Sequence, residues 1–132
     1  MIRRRGLALV VDSEIVIVEE EFPMRWFAEW AQEPPMFGPA TERLVGLIEH
    51  DPQHAWAHIL RLIERAPSEP LLNCVGADPL EDLLCAHGDV FIDQVEQLAA
   101  RDDRFRQCLA YVWGQTRMDA DIHRRVRCAA MR

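Results

Sequence analysis

Residues 51–67 read DPQHAWAHILRLIERAP, a complete helix with its own start and stop signals. Asp51 suits the N-cap, because its carboxylate can accept from the backbone N–H groups that a helix start leaves free. Pro52 suits the first helical position, where a missing N–H costs nothing. Trp56, Ile59, Leu60 and Ile63 recur at three- and four-residue steps, which places them on one face. Pro67 ends the pattern.

The same period extends in both directions. Upstream, Pro23 followed by Trp26, Phe27, Trp30 and Ala31 predicts a first helix. The stretch EPPMFGP must be a loop, since Pro34, Pro35 and Pro39 remove donors and fix the backbone. A second helix over Thr41 to His50 would bury Leu44, Leu47 and Ile48. Downstream, a short turn from Pro70 to Val75 brings Leu71, Leu72 and Val75 inward, with Gly76 ending it. Four segments follow. Residues 79–87 are continued by 90–101, with Phe91, Ile92, Val95, Leu98 and Ala99 inward. Residues 103–115 would bury Phe105, Cys108, Leu109, Val112 and Trp113, and residues 119–129 Ile122, Val126 and Ala129. Acids recur at the starts (Asp78, Asp89, Asp102 or Asp103, Asp119), where they complement the positive end of the helix dipole. Connections this short force successive helices to pack antiparallel or at steep angles. The expected fold is all-α, a compact bundle of about six to seven short helices whose pairs could stack in a solenoid-like manner. No clean internal repeat is visible.

Residues 1–22 differ from the single helical domain expected over 23–132. LALVV and EIVIVEEEF are β-branched, aliphatic runs parted by Asp12 and Ser13, which reads as a β-hairpin. A lone hairpin is marginal in water. It must lie on the helices, pair with a second copy in a homodimer, or be a loosely ordered extension. Met24 offers an alternative start, with the residues before it a leader outside the domain. The basic opening is not a signal peptide, because Asp12 cuts the apolar run from Leu7 to Val11 too early. No stretch approaches the roughly 20 apolar residues of a membrane span.

Composition narrows the function classes. A chain of 132 residues can bury roughly two-thirds of its unfolded surface without disulfides or a metal. A net charge of −7 opposes binding that depends on neutralising phosphates. The arginine clusters at Arg3–Arg5 and at Arg124, Arg125, Arg127 and Arg132 are weak support for nucleic-acid binding, and read first as solvated surface. There is no lysine, which removes P-loop and Schiff-base chemistry. Ser13 and Ser68 are the only serines, and neither lies in a G-x-S-x-G turn. The four cysteines form no C-x-x-C pair, so reduced thiols in a cytosol are expected.

GADPLEDLLCAHG, residues 76–88, gathers two adjacent carboxylates, a thiol and a histidine. Its residues also have structural tasks. Asp78 suits an N-cap, Pro79 the first position, and Glu81 the return half of a capping box. His87 falls in the last turn, and Gly88 suits the left-handed closing position. His87 also shares the face of Leu80, Leu83 and Leu84, so its ring needs a buried hydrogen-bond partner.

AWAHILRLI, GADPLEDLLCAHGDVFIDQVEQLA and DDRFRQCLAYVWG resemble a bacterial domain family of unknown function. The likeness rests on Trp56, the run from Pro79 to Leu84, His87, Gly88, Phe105, Arg106, Val112 and Trp113, and more loosely on RWFAEWA. It spans about Trp26 to Trp113 and leaves out the hairpin region. The resemblance implies a small helical bacterial protein and no particular reaction.

Two constellations bear on function. His54 and His58 are four apart, a spacing that can share a metal on a helix. No Glu follows His54 directly, so the metalloprotease motif fails. The pair is expected almost opposite Trp56, beside Arg61 and Arg65, whose charges disfavour a cation. Neither a metal nor another cofactor is therefore expected. Four tryptophans are many for this length; core packing is their first reading and a partner-binding hot spot the second. The favoured function is a small acidic cytosolic module that binds another protein, of which immunity and regulatory proteins are examples. Glu81, Asp82, His87, Arg106 and Trp113 are the binding candidates. A basic partner would suit the charge, with no nucleic acid and no membrane involved. The alternative is a hydrolase-type enzyme using Glu81, Asp82 and His87 as acid–base groups, although the spacing turns Asp82 away from His87.

Overall fold

A computed structural model describes residues 9–11, 14–16, 18–114 and 116–131. Helix α1 spans Phe22–Trp30, α2 Pro39–His50, α3 Pro52–Arg65 and α4 Glu69–Val75. Helix α5 spans Glu81–Arg101, α6 Asp103–Leu109 and α7 Ala120–Ala130. The fold is all-α around one hydrophobic core. Much of the expected hairpin lies outside the described residues. Within them, β1 (Leu9–Val11) pairs antiparallel with β2 (Glu14–Val16), with Val10 opposite Ile15. The strand reading fails at its C-terminal end, where Glu19–Glu21 form a 3₁₀ turn leading into α1.

Local capping sets most helix starts. The Asp51 side chain accepts from His54 N–H, Ser68 from Leu71 N–H, Asp102 from Arg104 and Phe105 N–H, and Asp119 from Asp121 and Ile122 N–H. Helix α2 is different. Its N-cap is Gly38, which has no side chain, and the cap comes from α1 instead. The Glu29 carboxylate accepts from the N–H groups of Gly38, Ala40 and Thr41 at 3.0, 2.8 and 2.9 Å.

Helix α5 packs on α2, α3, α6 and α7, and α3 packs on α1, α2, α4, α5 and α6. Between α3, α5 and α6, the Trp56 ring stacks on Phe91 at 5.2 Å and meets Phe105 edge-on at 6.1 Å. Because α3 has neighbours on several sides, its buried surface is wider than the stripe read from its period. Leu62 and His58 are buried as well as Trp56, Ile59 and Ile63.

Three expectations about residues 76–115 are corrected. Gly76 does not end a helix. Gly76–Leu80 form a π-helical turn that joins α4 directly to α5, with Pro79 inside it. Proline interrupts the i→i−4 ladder, and a widened turn absorbs that interruption. Asp78 is therefore not an N-cap, and Glu81 does not complete a capping box. Second, His87 and Gly88 do not close a helix. Helix α5 runs through them with a kink at His87 (φ −136°, ψ 30°). Gly88 lies where α7 crosses, and a Cβ there would stand 2.7 Å from Ile122 Cγ2. Third, α6 stops at Leu109 rather than near 115. Val112 remains buried, but Trp113 is out of the core.

Candidate functional site

The early end of α6 leaves two aromatic side chains exposed. Gly114 takes φ +41°, a left-handed conformation that favours glycine, and turns the chain sharply. Arg117 and Met118 N–H groups bond back to the Gly114 carbonyl. Just before this turn, Trp113 is 58% exposed and Tyr111 41%. Trp113 is anchored through its main chain, whose N–H donates to Glu81 Oε1 at 3.0 Å. The Arg127 guanidinium lies 5.3 Å from the Trp113 ring centre, a cation–π distance.

Glu81 and Asp82 lie beside that aromatic group. Arg117 bridges them, with Nη2 2.8 Å from Asp82 Oδ1 and Nη1 3.5 Å from Glu81 Oε2. Asp78 adds a third carboxylate. Burial, then the charges of Asp82 and Glu81, push its carboxyl up to about 6, with Arg117 opposing. Burial also raises Asp82. One arginine therefore faces three acids next to an exposed tryptophan.

His87 is directed elsewhere. Its Nε2–H donates to the Ile48 carbonyl at 2.8 Å. That carbonyl lies near the end of α2, and the residue four positions later is Pro52, which has no N–H to offer it. The histidine thus supplies a donor that the sequence removed. Arg106 is also occupied away from Trp113. It donates to the Ala99 carbonyl at 2.5 Å and pairs with Asp103. Of the predicted binding residues, the structure joins Glu81, Asp82 and Trp113. The cations at that face are Arg117 and Arg127, which sequence reasoning did not select.

The four cysteines are free thiols, and burial pushes Cys108 up to about 12, far from a nucleophilic state at neutral pH. Among the C-terminal arginines, Arg124 pairs with Asp121 and Arg125 with Asp93 and Glu96. A cationic surface free to meet phosphates is correspondingly reduced.

The histidine pair of α3 departs from its expected surface position. His58 is buried, and its ring stacks on His54 at 4.7 Å and meets Phe22 at 4.4 Å. Glu19, from the 3₁₀ turn, faces both imidazoles. Its Oε2 is 2.6 Å from His54 Nε2 and 3.4 Å from His58 Nε2. Burial pushes His58 down to about 4, while the hydrogen bond from His54 lowers Glu19. The pattern of α3 suggested the pair, but nothing local to α3 could point to Glu19.

The family model described as Family of unknown function (DUF6869) matches residues 29–132. The chain belongs to that family. No curated protein and no solved structure matches it. Within this DUF6869 member, the matched segment contains Glu81, Asp82, His87, Arg106, Trp113 and both α3 histidines, whereas Glu19 lies before it.

Proposed function

We propose that this protein is a binding module that takes a basic segment of another protein on the face around Trp113. The observation that carries the reading is a tryptophan more than half exposed, fixed by its main chain to Glu81, which shares an acidic cluster with Asp78 and Asp82. Tryptophan and arginine dominate the energetics of protein interfaces. An incoming arginine or lysine would meet an exposed aromatic ring and three acids that Arg117 and Arg127 incompletely offset. The net charge of −7 favours the same encounter at longer range. A bacterial cytosol, an immunity or regulatory role, and a homodimer contact through the N-terminal strands accompany this reading. Four free thiols suit such a compartment, and among the described residues no helix is long and apolar enough to cross a membrane.

The test is a pull-down from native lysate with wild-type protein and Trp113→Ala, followed by titration of the purified partner. The reading expects a partner retained by wild type, lost on Trp113→Ala, and weakened by added salt. Recovery of nothing above background, or equal retention by both proteins, would overturn it.

A further inference from the structure

We propose that Glu19, His54 and His58 form a binding site for a divalent transition-metal ion of the zinc class, clamping the 3₁₀ turn onto α3. This inference is independent of the Trp113 face.

The donor set comes first. His54 and His58 are one helical turn apart, so both rings rise from the same side of α3. Glu19 approaches from the segment before α1, and one ligand atom from each residue lies within 4.8 Å of the others. Two imidazoles and a carboxylate are a known zinc ligand set, leaving a further position for water. Ligands held about 2.0–2.1 Å from a tetrahedral ion stand roughly 3.3 Å apart. The His58–Glu19 separation of 3.4 Å matches that value. The His54–Glu19 contact of 2.6 Å is a hydrogen bond and would open by a fraction of an ångström as an ion replaced the shared proton.

An unpaired atom is the second, separate observation. The His58 side chain is only 3% exposed, yet its Nε2 has no hydrogen-bond partner. Buried polar atoms are nearly always paired, and one that is not needs an explanation. Here the orphan nitrogen faces the Glu19 carboxylate. An imidazole nitrogen with no hydrogen-bond partner keeps its lone pair available for a metal ion.

The surroundings supply support and opposing charge, from Arg43 and then Arg61. Asp51 Oδ2 lies 3.7 Å from His54 Nδ1, on the far side of that ring from Glu19. Carboxylates behind ligand histidines commonly fix ring orientation. Arg43 Nη2 stands 4.0 Å from Glu19 Oε2 and is the cation that an ion would displace. Its side chain is about one-third exposed, so the guanidinium has solvent into which to move. The ligand set contains no thiolate, which favours zinc-like, cobalt or nickel ions over softer ones.

The test uses the full chain, stripped with chelator, and titrates Zn²⁺ by calorimetry and Co²⁺ by visible absorption. Glu19→Gln and His54→Ala alter partly exposed side chains and keep the core. His50→Ala, which changes an exposed histidine, and Cys128→Ser, which changes an exposed thiol, are controls. The expected result is one zinc per chain, with affinity falling at least about 10-fold in each ligand variant and unchanged in both controls. At the same zinc concentration the unfolding midpoint should rise more in wild type than in Glu19→Gln. Wild-type zinc affinity no greater than that of the Glu19→Gln, His54→Ala double variant would overturn the site.

Discussion

The Glu29 carboxylate of α1 accepts both the N–H and the hydroxyl of Thr41, at 2.9 and 2.6 Å, and thereby caps the neighbouring helix α2. The Thr41 hydroxyl in turn accepts from Trp30 Nε1 at 3.0 Å. A single carboxylate thus serves three backbone donors and a side chain at a helix start whose own N-cap residue is glycine. Charged hydrogen bonds contribute about 1.5–3 kcal/mol each in net terms, and caps about 0.5–2 kcal/mol. Glu29→Ala should cost about 2–3 kcal/mol in urea unfolding. A loss below about 0.5 kcal/mol would mean that solvent replaces the cap at no cost.

Gly76 and Gly88 both mark close crossings, and they should respond differently to alanine. A Cβ on Gly76 would stand 2.0 Å from the Cys108 carbonyl oxygen, a backbone atom that cannot rotate away. At Gly88 the obstacle is a single side-chain methyl at 2.7 Å, which has to give by less than the backbone oxygen at Gly76. Overpacking costs about 1–3 kcal/mol where neighbours adjust, and more where backbone must part. Gly76→Ala should therefore exceed about 3 kcal/mol or prevent folding, and Gly88→Ala should stay near 1–2 kcal/mol. Denaturation midpoints in the reverse order would contradict this geometry.

His87 pairs with a carbonyl that Pro52 leaves unsatisfied. Replacing the ring by leucine keeps the apolar contact but strands the Ile48 oxygen. His87→Leu should destabilise by about 1–3 kcal/mol, and His87→Gln, which can still donate, by less. Equal melting temperatures for wild type and His87→Leu would remove the hydrogen bond from the stability argument.

Asp78 gives a pH signature. Its carboxyl is pushed up to about 6 from an ordinary 3.8, chiefly by burial. Between those values the unfolded chain has released a proton that the folded protein still holds. Stability is therefore lost as pH rises from about 4 to 6, and the penalty persists above that range. Asp78→Asn removes it. After allowance for partial solvent exposure, the variant should gain about 1–2 kcal/mol over wild type at pH 7 and far less at pH 4. An equal gain at both pH values would show that ionisation is not the cause.

What the sequence disclosed divides by range. Asp51 caps α3 as its local pattern suggests, and Asp102 and Asp119, acids expected at helix starts, cap α6 and α7, whereas Asp89 lies inside α5; capping needs only three or four successive residues. The all-α fold and the stripe of α3 were legible for the same reason. The spacing of Trp113 from Leu109 continues a helical period and points to a core stripe, whereas α6 ends at Leu109 and Gly114 turns the chain just beyond Trp113. Gly88 signals a helix stop locally, yet its role depends on Ile122 of α7. The burial of His58 depends on Phe22 and Glu19, neither of them on its own helix. Glu29 as the cap of α2 is likewise invisible to any short window.

The wide turn at Gly76–Leu80 has a wiring consequence. Each residue of an α-helix rotates the chain by about 100°, so the π turn offsets the angular phase of everything that follows it. Helix α5 inherits that offset, and with it the bearing of Glu81 and Asp82 toward Arg117 and the main chain of Trp113. Deleting one residue from the turn would change that offset and rotate this acidic corner out of alignment with the tryptophan. The irregularity is an indexing device, and the interaction face is set by its count.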